Sequence, residues 1–192
     1  MGWKTKESGS SHAGKAAAVL ADGSEPKPVY FDVGSGSYIP KSSDWWVYDG
    51  TPGAPLASDL RGSCSCGWRG STLFPLDWAQ VAEEGSAAYD TSGPYEEWAQ
   101  HMGEIASRSV PLPADLEALV DQLDKKLDAL TDEAPLAALK IVATLERIAG
   151  RAAPLATHYV QADEIPWEAI AEGLGLTEKD ARSRLLSYSL RH

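Results

Sequence analysis

Apolar residues recur at three- and four-residue intervals through the second half of the chain, the period of a helix buried along one side. Leu116, Leu119, Val120, Leu123, Leu127 and Leu130 predict an amphipathic helix over about 114–130. "TDEAP" (131–135) reads as a turn and a restart. Leu136, Leu139, Val142, Leu145, Ile148 and Ala152 then define a second, longer helix that contains Gly150 and Pro154. Proline has no amide hydrogen and its ring collides with the carbonyl four residues back, so a kink is expected near Gly150, with the helix resuming to about residue 161. The two helices are expected to form an antiparallel hairpin.

The first half lacks that period. Residues 1–28 mix Gly, Ser, Ala, Lys and Pro, and are expected to be a flexible tail. "VYFDV" (29–33) and "WWVYDG" (45–50) are rich in β-branched and aromatic residues and read as strands. "ASDLRGSC" leading into "CGWRGS" predicts a hairpin with Cys64, Ser65, Cys66 and Gly67 at its tip, and Asp49-Gly50 and Pro52-Gly53 are further turn signals. One helix is expected over about 75–87. A second starts at Ser92, with Pro94 in its first turn and Tyr95, Trp98, Met102 and Ile105 on one stripe. "VPLP" (110–113) closes this part. The expected fold class is α+β: a tail (1–28), a small hairpin-and-helix module (29–112), and an all-α module (113–192) ending in the segment described next.

"IPWEAIAEGLGLTEKDARSRLLSYSLR" (165–191) opens with Pro166, a favourable first helical residue. Ile170, Ala171 and Leu174 face one side, Gly175 permits a turn with positive φ, and Leu176 fills the turn. Thr177 can cap the next helix with Asp180 three residues on. Ala181, Leu185 and Tyr188 then form an inner face. Small residues at 171 and 181 let two helices cross closely, which is what a helix-turn-helix needs. Trp167, Ile170, Ala171, Leu174, Gly175, Leu176 and Thr177 resemble the helix-turn-helix of sigma-factor region 4. They also look like the helix-turn-helix that ends many small actinobacterial proteins after a long Ala-rich helix. The resemblance implies binding of double-stranded DNA and transcription regulation, with Lys179, Arg182, Ser183 and Arg184 meeting the groove and phosphates. The charge over 177–191 is only +2, and Glu178 stands where a helix N-terminus would otherwise favour a phosphate. The same geometry also serves as plain packing or as a protein-binding surface.

Charge narrows these readings. The chain has 17 Lys and Arg against 28 Asp and Glu, a net charge of −11 and a pI near 4.7. Phosphate neutralisation gives such a chain no general affinity for nucleic acid, so any contact must come from a local patch. No apolar run approaches the roughly 18 residues of a membrane span, and "AAAVLA" is too short for the apolar part of a signal sequence. A cytoplasmic protein with no membrane partner is expected.

Cys64 and Cys66 are the only cysteines. A structural zinc ion takes four ligands, mostly Cys and His, so the pair needs help from elsewhere. His101 lies three residues after Trp98 and can turn inward with that stripe. Glu97, one turn earlier, is expected as the fourth ligand or as a partner of one. Cys64, Cys66, Gly67, Trp68, Gly70 and His101 resemble small actinobacterial proteins in which Cys-x-Cys-Gly-Trp-x-Gly precedes an acidic helix ending in His. That likeness implies a structural site and no chemistry. Three alternatives stay open: two buried cysteines that merely pack, a strained Cys64–Cys66 disulfide, and a nucleophilic thiol paired with His101. His12, His158 and His192 have no spacing that assigns them.

Trp45, Trp46, Trp68, Trp78 and Trp98 crowd the first module. Such rings stack bases or cage a ligand, but in so small a module they are expected to be core. The chain lacks a Gly-rich phosphate loop, a paired-carboxylate pattern and a recognisable Ser-His-Asp context, so no enzyme is expected. The leading reading is a DNA-binding regulatory protein with one structural zinc ion, a homodimer or protein complex through its helical module. The competing one is an interaction or scaffold protein with a structural helix-turn-helix and an acidic surface.

Overall fold

The computed structural model describes residues 2–5, 11–31 and 39–190, so Asp32 and Val33 of the expected first strand, Arg191 and His192 lie outside the described residues. The chain divides into two compact units, residues 1–107 and 108–192. The class is α+β, with a three-stranded antiparallel sheet, a two-stranded pair and six α-helices among the described residues.

In the first unit the sheet has the order β1 (Gly14–Leu20), β4 (Ala57–Cys64), β5 (Phe74–Pro75). The short pair β2 (Val29–Tyr30) and β3 (Lys41–Ser42) stands apart. Residues 14–20 are therefore an inner part of this unit and not a tail: Ala16, Ala18 and Val19 are buried. The run "KAAAVL" has little intrinsic strand preference. It is extended because β1 pairs along its whole length with β4, from Gly14 opposite Cys64 to Leu20 opposite Ala57. Its small side chains then let large aromatics close over it.

Strand alternation puts Gly14, Ala16 and Ala18 with their cross-strand partners Cys64, Gly62 and Leu60 on one face. Over Ala16, Ala18 and Leu60 lie Trp45, Tyr48, Ala57 and Leu76, joined by Trp3, Trp46, Trp78 and Tyr89. "WWVYDG" supplies this layer from a single turn of 3-10 helix, Trp45–Val47, in place of the expected strand. Two consecutive indoles that both pack inward suit a tight turn better than a strand, which would send them to opposite faces. α1 (Trp78–Glu84) starts three residues later than expected, because Phe74–Pro75 pairs with β4 and Asp77 caps the helix through the amides of Ala79 and Gln80.

Over Gly14, Gly62 and Cys64 lies α2 (Ser92–Arg108), with Trp98 and Met102 buried. A Cβ on Gly14 would come within 2.5 Å of the Trp98 ring, and one on Gly62 within 2.7 Å of the Pro94 carbonyl. Both positions need glycine for the helix to lie this close.

The second unit pairs α3 (Ala114–Glu133) with α4 (Pro135–Ala162), joined by Ala134 alone. α4 is one helix that runs through Gly150 and Pro154. Leu123, Leu127 and Leu130 are half-buried, while Leu116, Leu119 and Val120 are exposed; no residue of α3 is fully buried. α5 (Trp167–Gly173) and α6 (Glu178–Ser189) then pack around Ile170, Ala171, Leu176, Ala181 and Leu185, with Val160 and Trp167 at the edge. Ala181 is fully buried, as a close crossing requires. Gly175 has φ 60°, and Thr177 caps α6 through the amide of Asp180 at 3.2 Å. No helix among the described residues is long and apolar enough to cross a membrane.

Candidate metal centre

Three separated pieces of the first unit meet at the end of the sheet. β4 ends on Cys64, and the chain turns back with the Gly67 amide on the Cys64 carbonyl at 3.0 Å and the Cys64 amide on the Trp68 carbonyl at 3.0 Å. Gly67 holds φ 102°, where a side chain would strain the turn. This tip displays both sulfurs. The segment before β1 is stitched to it: the Ser65 amide donates to the Ala13 carbonyl at 2.8 Å, the Ala13 amide to Ser65 Oγ at 2.9 Å, and Ser65 Oγ to the Ser11 carbonyl at 3.0 Å. Those bonds bring buried His12 beside the tip. α2 supplies His101, one turn beyond Trp98.

The ligand atoms of His12, Cys64, Cys66 and His101 all lie within 4.8 Å of one another, so the group can hold a metal ion. Cys64 Sγ is 3.7 Å from His12 Nδ1, and Cys66 Sγ is 3.4 Å from His101 Nε2. Bonds of about 2.3 Å to sulfur and about 2.0 Å to nitrogen give a tetrahedral S···N edge of about 3.5 Å. The two separations fall either side of that value.

The surroundings favour a neutral, fixed imidazole. Trp68 stacks on His101, ring centroids 4.5 Å apart and planes 6° from parallel. Burial holds His101 below its usual imidazole range; nearby His12 adds to this and Glu104 opposes it. A neutral ring keeps the lone pair that a cation needs. Burial also pushes the Cys66 thiol up, against the Trp68 backbone donor, and the Cys64 sulfur adds to the rise. A buried thiol of this kind gives up its proton to a bound cation. Both cysteines are free thiols, not a disulfide.

The expected cluster therefore needs one correction. Cys64, Cys66 and His101 do meet, but Glu97 does not join them. One Glu97 carboxylate oxygen accepts from the Thr72 amide at 3.0 Å, and the other is buried against Gly70, in space a Cβ there would fill. Glu97 and His101 share a helix, yet Glu97 is turned to the segment of residues 70–72 that leaves the hairpin. His12 stands in the fourth place. Its only trace in the sequence is its position two residues before a strand that the alanine run disguises.

At the other proposed site, Lys179, Arg182, Ser183 and Arg184 are all exposed on α6. Arg182 is already engaged: it pairs with Glu178 Oε2 at 3.0 Å and lies over the Trp167 ring, 4.8 Å from its centroid.

Comparison of the chain with protein-family models, curated proteins and solved structures finds no match. The likenesses to sigma-factor region 4 and to actinobacterial proteins stand on the quoted residues alone.

Proposed function

We propose that the protein is a non-enzymatic regulatory protein whose first unit is clipped by one zinc ion and whose α6 grips duplex DNA. The convergence of His12, Cys64, Cys66 and His101 carries the zinc part. Two thiolates and two imidazoles suit zinc, and with all four positions filled by protein there is no open place for a reacting water. The ion is then a clip that closes the end of the sheet onto α2.

The DNA part is supported by the packing of α5 against α6, which keeps Ala181 and Leu185 inward and leaves Lys179, Ser183 and Arg184 facing solvent. Two copies make a two-fold reader. α3 has seven acidic and two basic residues, α4 three basic and one acidic, so α3 of one copy complements α4 of another. Apposition of that kind also covers exposed Leu119 and Leu139.

Fluorescence anisotropy with genomic duplex fragments tests this reading. A dimer offering Lys179 and Arg184 from each copy predicts a salt slope of about −3.6, or roughly a 150-fold loss between about 50 and 200 mM salt. Lys179→Ala with Arg184→Ala removes most of the slope. No detectable binding at low salt rejects the DNA part. Arg182 favours a second reading, a protein-interaction module with a structural helix-turn-helix, because Glu178 and Trp167 already satisfy its charge.

A further inference from the structure

A cavity of about 340 Å³ in the first unit lies away from the Cys and His cluster. Trp3, Trp45, Trp46 and Tyr89 supply four aromatic rings to its wall. Trp45 and Trp46 stand nearly perpendicular (86°) with centroids 5.8 Å apart, and Tyr89 is inclined 49° to Trp45 at 5.3 Å. Trp45 thus meets Trp46 and Tyr89 at an angle, as the sides of a box do, and stacks flat on neither. Ala16, Ser86, Ala87 and Thr91 complete the lining, and their small side chains leave the space between the rings open.

The lining has no charged side chain. An anion would find no cation there, and a primary ammonium needs three acceptors where Ser86 and Thr91 offer two hydroxyls, the Tyr89 hydroxyl being held by the Asp77 amide and the Pro75 carbonyl. A cation that donates no hydrogen bond has neither difficulty. Aromatic faces attract it through their quadrupoles, and its alkyl groups fill the apolar volume. The long-range field has the matching sign: residues 1–107 contain seven basic and fourteen acidic residues, a net of −7. Asp44 and Asp90 are chain neighbours of Trp45 and Tyr89. We propose that this cavity is a binding site for a quaternary ammonium group, held by Trp3, Trp45, Trp46 and Tyr89.

Titrations of the full-length 15N-labelled protein with tetramethylammonium and choline test the proposal, read at the seven indole N–H signals. Saturable shifts of the Trp45 and Trp46 signals are expected. The neutral isostere 3,3-dimethyl-1-butanol should bind about tenfold more weakly, since it has the shape without the charge. Ala87→Leu fills the cavity from an exposed loop position without deleting a ring, and should abolish the shifts. Trp46→Phe, which keeps a smaller ring, should weaken them. Equal affinity for the neutral isostere, shifts unchanged by Ala87→Leu in a folded protein, or no saturation up to about 100 mM each overturn the proposal.

Discussion

Removing the proposed zinc ion from the first unit should cost a predictable amount of stability. The two S···N contacts join residues 52 and 35 positions apart. In the chain-entropy account, cross-links closing loops of these lengths each remove about 4 kcal/mol of freedom from the unfolded chain. The first loop is already closed by the β1–β4 ladder, and packing of Trp98 on Gly14 partly closes the second. Half of the second loop's share, about 2 kcal/mol, is the part only the metal supplies. For a unit of this size that is a fall in melting temperature of roughly 8–16 °C. Six of the seven tryptophans lie in residues 1–107, so tryptophan fluorescence follows this unit within the whole chain. Melting curves with zinc and with a strong chelator supply the measurement. Transitions that coincide within about 2 °C would show that the cluster closes nothing, and that the four residues only pack.

Further outcomes follow from the same geometry. His12→Ala should lose the ion while Glu97→Gln, whose amide oxygen still accepts from Thr72, keeps one equivalent by elemental analysis; the reverse pattern would restore Glu97 as the ligand. Gly14→Ala should cost about 1–3 kcal/mol in denaturant unfolding, because its Cβ must displace Trp98; a neutral effect would mean that α2 does not lie against the sheet as described. Leu119→Glu and Leu139→Glu should convert a dimer to monomers in sedimentation experiments, and a wild-type protein already monomeric at about 50 µM would leave those leucines to another partner.

How much of this could be read beforehand varied with the kind of signal. Helical periods were legible because one apolar stripe repeats over many turns: α2 starts at Ser92 as its proline and stripe imply, and α3 and α4 follow their leucines. Thr177 and Gly175 announced the turn before α6 by their own chemistry. β1 was hidden, since Ala16, Ala17 and Ala18 carry neither alternation nor strand preference, and only pairing with β4 makes them extended. That one misreading also concealed His12. Glu97 misled for a related reason. Spacing along α2 puts it on the side of His101, but the Thr72 amide, a tertiary contact, decides where the carboxylate turns.

X-ray absorption at the zinc edge of the zinc-loaded protein reads the ligand set itself. The geometry predicts two sulfurs at about 2.3 Å and two imidazole nitrogens at about 2.0 Å, with one nitrogen lost in His12→Ala. A shell of oxygens, a single sulfur, or a shell unchanged by His12→Ala would contradict it.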